Sequence, residues 1–448
     1  MMDNIFGTDG IRGKANEGYI TPGNAMKLAV SAVNYYDLKN HKSVNNKFTV
    51  VIGKDTRLSG YMLEPALTSG FIAAGADVVL LGPIPTPAVA FMTRSLRADL
   101  GVVISASHNP YYDNGIKFFS STGFKITEDD EIKISEIFHN HPKLTETEIM
   151  GKARRLDDAQ GRYIEFVKGS FSKKLSLSGL KIALDTANGA SYKIAPQIFW
   201  ELGAEIIQIG NEPDGLNINK DCGATHTELL QQTVIEQKAD IGIALDGDAD
   251  RLIVVDENGE VIDGDYLIAG IATSWKNSGK LKSKDVVATI MSNMGMEQYL
   301  NLIGLNLVRT NVGDKFVIQK MVEIGSNIGG EKSGHIIPMD YSSTGDGCIA
   351  AIQILSFLQL ENKKASEIRN LYKPYSQVMF NIPKILDLQE PMVADCITQV
   401  NALLGKRGRL IVRKSGTEPV TRVMIEANTK TGAREAEQYF KRVMENIL

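Results

Sequence analysis

The sequence predicts an α/β protein built from three related domains of mixed or parallel sheet and a small C-terminal α+β domain, arranged around a central cleft. The first observation behind this prediction is length, since 448 residues suffice for about three domains of ordinary size. The second is a unit of strand, helix and strand that recurs three times along the chain. The third is a change of pattern from about residue 370 onward.

Each repeated unit begins with a short apolar strand, continues into a helix and returns through a glycine to a second strand. Gly75, Gly203 and Gly304 stand where these helices end, a position that favours a left-handed residue. Strands that alternate with helices indicate βαβ units and mostly parallel sheet. The predicted strand, helix and strand are residues 48–52, 63–74 and 76–81, then 180–184, 193–202 and 204–209, then 286–291, 297–303 and 305–309.

A further strand in each unit ends in an unusually polar segment. These segments are residues 105–110, 246–251 and 331–335. Ligands bind beyond the carboxyl ends of strands in parallel α/β sheets. We therefore expect the three segments to line one shared cleft.

The last part of the chain reads as a small α+β domain. We place the domain boundaries at 1–150, 151–256, 257–369 and 370–448. The strands expected in the last domain are 377–382, 409–412 and 421–426, and its helices are 391–404 and 432–448.

Composition narrows the range of partners and settings. With 49 Lys and Arg against 53 Asp and Glu, the net charge is -4, so no broad cationic surface for nucleic acid is expected. No apolar run approaches the ~18 residues of a membrane span, and the first residues lack a secretory pattern. The three cysteines, Cys222, Cys348 and Cys396, are far apart and odd in number, which fits neither a disulfide framework nor a thiolate zinc site. A reducing, cytoplasmic setting is predicted.

Asp246, Asp248 and Asp250 form the most informative cluster of charges. Three carboxylates on so short a loop repel one another unless a cation is present, and Mg²⁺ prefers such oxygen ligands. An EF-hand calcium loop is the main alternative, but it needs glycine where Arg251 stands, and the flanking residues resemble strands. An exposed acidic turn is the simpler alternative.

Ser107 follows a predicted strand and precedes His108. It could be a nucleophile or a phosphate carrier, although the same residues also suit a plain turn. The G-x-S-x-G turn of hydrolases is absent. Residues 113–115 read as a tight hairpin turn that would bring Lys117 back toward the serine.

The C-terminal loop combines groups that suit an anion. Arg413, Ser415, Gly416 and Thr417 offer a guanidinium, two hydroxyls and an accessible backbone, and Arg422 follows on the next strand. A solvated turn is the alternative.

Two more segments allow two readings each. Glu331 and Ser333 would share a face and could hold vicinal sugar hydroxyls, while His335 could be catalytic or could satisfy a local hydrogen bond. Arg12 lies in a glycine-rich segment, residues 6–13, that suits a hairpin turn as well as an active-site strand.

With these segments in this order, the chain resembles the α-D-phosphohexomutase family from residue 6 to residue 422. The resemblance implies that Ser107 is the serine phosphorylated in the active enzyme, with Ser105 as the alternative carrier. It implies that Asp246, Asp248 and Asp250 bind one Mg²⁺ per chain together with a phosphate oxygen on Ser107.

The resemblance also implies roles for the remaining residues. Glu331 and Ser333 would contact sugar hydroxyls, and Lys414 stands where family members often carry proline, adding one charge to the loop. The group that would hold the non-reacting phosphate of the substrate is Arg413, Ser415, Gly416, Thr417 and Arg422. The group that would take part in charge balance or proton transfer is Arg12, His108, Lys117, Arg251 and His335.

The implied reaction converts glucosamine 6-phosphate to glucosamine 1-phosphate, a step toward UDP-N-acetylglucosamine. Glucosamine 1,6-bisphosphate would be the intermediate and activator. Phosphomannomutase or phosphoglucomutase activity is the alternative within the family, and a non-catalytic phospho-sugar-binding or calcium-binding protein is the alternative outside it. The resemblance implies a phospho-sugar as the small-molecule partner, and a monomer or a homodimer.

Overall fold

The computed structural model describes residues 4–7, 9–40, 47–414 and 419–445. These residues form two compact units, one within Met1–Met291 and Leu307–Arg369 and the other within Ser292–Asn306 and Asn370–Leu448. Among the described helices, none has both the length and the apolar character that a membrane span requires. All three cysteines are described, and each is a free, buried thiol.

The strands and helices have the following bounds. The strands are β1 Ile11–Lys14, β2 Thr49–Lys54, β3 Asp77–Pro83, β4 Leu100–Ile104, β5 Asp113–Ser120, β6 Ala153–Arg155, β7 Lys181–Asp185, β8 Glu205–Ile209, β9 Ile241–Leu245, β10 Leu252–Asp256, β11 Val261–Ile262, β12 Asp285–Thr289, β13 Asn306–Thr310, β14 Ile328–Gly330, β15 Ile336–Pro338, β16 Ser376–Ile382, β17 Gly408–Lys414 and β18 Thr421–Ala427. The helices are α1 Pro22–Asn40, α2 Gly60–Ala73, α3 Thr86–Ser95, α4 Glu128–His139, α5 Ala159–Lys168, α6 Ile194–Glu201, α7 Glu228–Gln237, α8 Gly264–Asn277, α9 Met294–Leu302, α10 Asp314–Ile324, α11 Gly347–Leu360, α12 Pro391–Leu404 and α13 Lys430–Glu445.

The first three sheets repeat one arrangement. Their strand orders are β1-β5-β4-β2-β3-β6, β11-β10-β9-β7-β8 and β13-β12-β14-β15. In the first two, a central strand pairs in parallel with a strand on each side, and the next strand is antiparallel. In the third, β12 pairs in parallel with β14, and β15 is antiparallel to β14. The predicted threefold repeat of mixed α/β sheets is confirmed.

The repeat places three polar segments at equivalent strand ends. Strands β4, β9 and β14 occupy the same place in their sheets, and each runs directly into one of the predicted segments. A glycine in each strand lets a helix pack closely on it. An added Cβ would lie 2.2 Å from Thr93 Oγ1 at Gly101, 2.8 Å from Val234 Cγ2 at Gly242, and 2.6 Å from Met321 Sδ at Gly329.

The turn predicted at residues 113–115 is wrong. These residues begin β5, which lies between β1 and β4, and the connection between β4 and β5 is made by residues 105–112. Gly115 is required by this close pairing, because an added Cβ would lie 2.6 Å from the Ser105 carbonyl oxygen. The Asn-Gly pair therefore serves strand packing rather than a turn, and Lys117 still comes back to the serine loop along β5.

The second unit contains the small α+β fold. Its antiparallel sheet has the order β16-β18-β17, and α12 and α13 pack their apolar faces on it through Val393, Val400 and Phe440. Helix α9 also belongs to this unit, since the Met294 N–H donates a hydrogen bond to Glu426 Oε1 at 3.0 Å. The four domain boundaries drawn from the sequence stay predictions.

Candidate active site

Ser107 lies in the loop that joins β4 to β5. Its φ angle is 53°, a left-handed conformation that is uncommon outside glycine, and the residue is 1% exposed. The hydroxyl donates a hydrogen bond to Asp246 Oδ2 at 2.7 Å and lies 3.3 Å from His108 Nδ1. The two predicted centres of the site, the serine and the aspartate cluster, are therefore in direct contact.

Arg57 holds this loop in its unusual conformation, and the sequence analysis did not identify it. Its Nη2 donates to the carbonyl oxygens of Ser107 at 2.9 Å and Asn109 at 2.8 Å. Its Nη1 donates to the carbonyl oxygens of Pro110 and Asp113. Its Nε pairs with an Asp55 oxygen at 2.8 Å, so that all five N–H donors of a buried guanidinium have acceptors.

Ser105 is engaged in a different way from Ser107. Its hydroxyl donates to Asp55 Oδ2 at 2.6 Å and accepts a hydrogen bond from the Ser107 N–H at 2.9 Å. The residue is fully buried. The geometry therefore favours Ser107 over Ser105 as the reactive hydroxyl.

Asp246, Asp248 and Asp250 lie on the hairpin between β9 and β10. They are almost completely buried, and a ligand atom from each lies within 4.8 Å of the others. Burial and the two neighbouring carboxylates raise the pKa of Asp246 to about 8. Among the described atoms, Asp248 Oδ1 has no hydrogen-bond partner. Buried carboxylates with an unsatisfied oxygen fit a hard cation such as Mg²⁺, and the exposed-turn alternative is wrong.

Lys117 brings an ammonium group into the same cluster. Its Nζ lies 3.1 Å from Asp248 Oδ2, 3.3 Å from Asp9 Oδ2 and 3.7 Å from Asp250 Oδ2. Burial lowers the pKa of Lys117, but the three carboxylates raise it by more. The side chain is therefore a fixed positive charge rather than a base.

The two arginines flank the cluster. Arg12 pairs with Asp9, and its Nη1 lies 3.4 Å from the Ala106 carbonyl oxygen. Arg251 Nε is buried, lies 4.0 Å from the nearest oxygens of Asp246 and Asp250, and has no hydrogen-bond partner among the described atoms. An oxyanion close to Ser107 would satisfy this donor.

His108 is neutral in this environment. Burial lowers the pKa of His108 to about 4, and the positive charges of Arg251 and Arg12 act in the same direction. A neutral imidazole beside Ser107 Oγ can accept or return a proton.

His335 joins the third sheet to the aspartate hairpin. Its Nδ1 lies 3.5 Å from Asp250 Oδ1, and its Nε2 lies 3.4 Å from Asp314 Oδ2. Burial lowers the pKa of His335, but these carboxylates raise it to about 9, which favours an imidazolium. The Gly345 N–H, however, donates to Nε2 at 3.0 Å, and only an unprotonated nitrogen accepts. We favour the neutral form with the proton on Nδ1, because the amide is fixed by the backbone whereas the charge of Asp250 is shared with Lys117.

Glu331 and Ser333 lie on the tight turn between β14 and β15 that also carries His335. Glu331 Oε1 accepts a hydrogen bond from the Gly313 N–H at 3.0 Å, which fixes the side chain. Ser333 is exposed. The turn therefore offers one oriented carboxylate and one accessible hydroxyl next to the imidazole.

The sequence analysis also missed a set of supporting contacts. Asp9 binds Arg12 and Lys125, and Lys125 Nζ contacts Asp314 Oδ2 at 2.5 Å. Burial raises the pKa of Asp9, but the surrounding cations hold it well below its usual range. The only signal in the sequence was the glycine-rich segment that contains Asp9. Thr86, whose hydroxyl donates to Asp248 Oδ2 at 2.7 Å, gave no signal at all.

In the second unit, Arg413 and Arg422 face each other across the β17–β18 pair. Burial lowers the pKa of Arg413, and the charge of Arg422 lowers it further. Two like charges opposite each other are unfavourable unless an anion lies between them. Ser415, Gly416 and Thr417 lie outside the described residues, so the predicted phosphate loop is represented here by its two arginines.

Comparison with protein-family models gives four matches along the chain. The phosphoglucomutase/phosphomannomutase α/β/α domains I, II and III match residues 3–145, 161–259 and 263–375, and the C-terminal domain of that family matches residues 359–445.

Curated relatives are similar over nearly the whole chain. The phosphoglucosamine mutase of Parvibaculum lavamentivorans is 52% identical over 96% of this chain and 95% of its own. The phosphoglucosamine mutase of Paramagnetospirillum magneticum is 52% identical over 95% of both chains.

Solved structures share the fold at low identity. A phosphoglucomutase/phosphomannomutase family protein from Burkholderia thailandensis is 23% identical, with a TM-score of 0.83 over 100% of this chain and 98% of its own. The N-acetylphosphoglucosamine mutase of Aspergillus fumigatus, solved with GlcNAc-6P and magnesium, is 16% identical, with a TM-score of 0.67 over 98% and 95%.

Replacement of Arg57 by lysine is expected to lower the melting temperature by about 4 °C, because lysine keeps the charge beside Asp55 but loses the hydrogen bonds to the loop carbonyls, a loss of about 3 kcal/mol in a unit of this size. Thermal unfolding measures this. Arg162→Lys is the matched control, since Arg162 is exposed and pairs with Asp158 at the surface, and it should change stability by less than about 0.5 kcal/mol. Equal melting temperatures for the two variants would remove the role assigned to Arg57.

Binding of Mg²⁺ is expected to strengthen as pH rises from about 6 to about 8. The pKa of Asp246 is raised to about 8 by burial and by Asp250 and Asp248, so a cation there displaces a proton, and affinity should change by up to about tenfold per pH unit. Calorimetry in buffers of different ionisation enthalpy measures the released proton. Asp214→Asn, in an exposed loop, should leave this behaviour unchanged. Affinity that does not vary over this range would contradict the assignment.

Proposed function

The chain belongs to the phosphoglucomutase/phosphomannomutase family and is an isomerase, and we propose that it interconverts glucosamine 6-phosphate and glucosamine 1-phosphate. The observation that carries the chemistry is the 2.7 Å contact between Ser107 Oγ and Asp246 Oδ2. A hydroxyl held against a buried carboxylate cluster suits a group that alternates between free serine and phosphoserine. The bacterial relatives that share half of the residues support the amino sugar as substrate.

The reaction consists of two phosphoryl transfers. In the first, a sugar hydroxyl attacks the phosphorus of phosphorylated Ser107, so one P–O bond forms as the Oγ–P bond breaks, giving glucosamine 1,6-bisphosphate. After the bisphosphate has turned round in the site, Ser107 Oγ attacks its other phosphate and releases the isomeric monophosphate. In each transfer one proton moves from the attacking hydroxyl to the departing oxygen, so the enzyme ends as it began.

Asp246, Asp248 and Asp250 would hold one Mg²⁺, as the buried carboxylates and the unsatisfied Asp248 oxygen indicate. When bound, the ion supplies positive charge next to the transferred phosphoryl group. A phosphoserine carries about -1.5 to -2 charge at pH 7, which is costly beside three carboxylates without such a cation. Lys117 adds a second positive charge to the same place.

We assign to His108 the transfer of a proton to and from Ser107 Oγ. Its Nδ1 lies 3.3 Å from that oxygen, and its low pKa keeps the ring neutral. Arg251 Nε is placed to bind an oxygen of the transferred phosphate. Arg12 pairs with Asp9, and His335 lies against Asp250. We propose that these two contacts orient the two carboxylates.

Orientation of the sugar falls to two further groups. Glu331 and Ser333 are proposed to bind sugar hydroxyls, and the non-reacting phosphate is assigned to Arg413 and Arg422, with Ser415, Gly416 and Thr417 completing that loop. The partner is thus a phospho-sugar. The monomeric or homodimeric state and the cytoplasmic setting stay predictions.

Ser107→Ala is expected to abolish steady turnover of glucosamine 6-phosphate, because it removes the hydroxyl that contacts Asp246 Oδ2. Intact-protein mass spectrometry should find the phosphate adduct on the parent protein and not on this variant. Ser105→Ala is the paired variant, and it should keep the adduct while turning over more slowly, since Ser105 Oγ supports the Ser107 N–H. Normal turnover by Ser107→Ala would refute the assignment of the carrier.

Specificity is tested by comparing kcat/KM for the 6-phosphates of glucosamine, glucose and mannose, each with catalytic bisphosphate and Mg²⁺. The glucosamine ester should be preferred by at least about tenfold, the discrimination expected of one well-placed polar contact. A preference for the glucose or mannose ester would identify that sugar as the substrate and would leave the mechanism unchanged. Release of inorganic phosphate at the rate of isomer formation would instead indicate a phosphatase.

A further inference from the structure

Three loops of the first unit meet at the backbone carbonyl of Ser107. The serine loop contacts the aspartate hairpin at Gly247, where an added Cβ would lie 2.6 Å from the Ser107 carbonyl oxygen. The third loop connects β8 to α7, and it contains Asn219. The same hypothetical Cβ on Gly247 would lie 2.8 Å from Asn219 Nδ2. The three loops therefore approach one another so closely that Gly247 has no room for a side chain.

Asn219 binds the backbone of the serine loop from the neighbouring sheet. Its Nδ2 donates to the Ser107 carbonyl oxygen at 2.9 Å and to the Asn109 carbonyl oxygen at 3.1 Å. Both acceptors are carbonyls, which identifies the facing atom of the side chain as the amide nitrogen. Asn219 is 7% exposed, so these bonds are shielded from water.

The same two carbonyl oxygens accept hydrogen bonds from Arg57 Nη2. Arg57 belongs to the first sheet's side of the loop and Asn219 to the second sheet's side. The loop is therefore held at the same two carbonyl oxygens from both directions. Asn219 thus adds a backbone tie between the serine loop and the second sheet, beside the side-chain contact of Ser107 with Asp246.

We propose that Asn219 is a positioning residue that sets Ser107 against the aspartate cluster by holding the Ser107 and Asn109 carbonyl oxygens. The inference rests on the proposed function, because it assigns Asn219 to the phosphoryl transfers of Ser107. Asn219 acts through the backbone of the serine loop and is assigned no contact with the sugar.

A purely conformational role of Asn219, in which its side chain serves only the turn, can be distinguished from this positioning role. Its φ angle is 57°, and asparagine is among the residues that tolerate this conformation. If the side chain served only the turn, glycine would replace it without loss, because glycine adopts positive φ freely. If the two donors matter, glycine removes them, and aspartate replaces them with an oxygen that repels both carbonyls.

The experiment measures kcat and KM of the Mg²⁺-loaded full chain for glucosamine 6-phosphate in Asn219→Gly and Asn219→Asp. We expect kcat to fall by about tenfold in Asn219→Gly and by more in Asn219→Asp, since displacement of a reacting group by about 1 Å can cost about 100-fold. KM should stay within about twofold of the parent value, because the sugar contacts are untouched. Asn217→Asp is the matched control, since Asn217 Nδ2 donates only within its own loop, to the Glu212 carbonyl oxygen, and it should match the parent protein.

Single-turnover transfer from the phosphorylated protein to the sugar ester provides the second readout, and it should slow in Asn219→Gly by the same factor as kcat. An Asn219→Gly variant that matches Asn217→Asp in both readouts would overturn the inference and leave the proposed function intact. A rise in KM at unchanged kcat would overturn it too, because it would mean a contact with substrate. If the parent protein and Asn217→Asp both failed to turn over, the proposed function itself would fall, and the inference with it.

Discussion

Repulsion among three buried carboxylates is the constraint around which the first unit is organised. Asp246, Asp248 and Asp250 gain little from water, so their charge must be balanced by groups that the fold brings to them. Lys117 brings a positive charge along β5, whereas His335, on the turn after β14, lies against Asp250 as a neutral ring, and Thr86 donates a hydrogen bond from the start of α3. Residues from all three of the first sheets therefore contact this one aspartate cluster. The proposed phosphoserine would add further negative charge beside the cluster, which Lys117 offsets in part and a bound cation would offset further. The proposed carrier and cation site therefore depend on each other.

The sequence predicted the fold and the site correctly where the signal lies within a single strand or loop. Glycine at the end of each helix, apolar strands of ordinary length and three aspartates at alternate positions are local signals, and the structure contains them with small shifts of boundary. The Asn-Gly pair misled because its turn propensity is weaker than the pairing of β5 on both edges. The sequence reached Ser107 rather than Ser105 only through the family resemblance, because the physical reason, the hydrogen bond from Ser105 to Asp55, appears only in the fold.

The sequence patterns did not identify residues that contact backbone carbonyls or charged groups far away in the chain. Arg57 stands 50 positions before Ser107, and its five hydrogen bonds are made mostly to backbone atoms that any residue possesses. Asp9, Lys125 and Asp314 form ion pairs between segments far apart in the chain, as the 189-residue separation of Lys125 and Asp314 illustrates. No spacing rule connects such positions, so only the folded arrangement reveals them.

Left-handed backbone conformations concentrate where the serine loop, the aspartate hairpin and the β8–α7 loop meet the loop between β7 and α6. Ser107, Ala187, Asn188, Asn219 and Ala249 all have φ angles between 49° and 57°, and none is glycine. Each such residue costs about 1 kcal/mol or more, so the cluster persists only because surrounding hydrogen bonds overdetermine it. Loops fixed in this way suit the proposed reaction, in which Ser107 would present the same oxygen to two different phosphates in succession. The strained conformations are therefore best understood as part of what holds the Ser107 hydroxyl against Asp246.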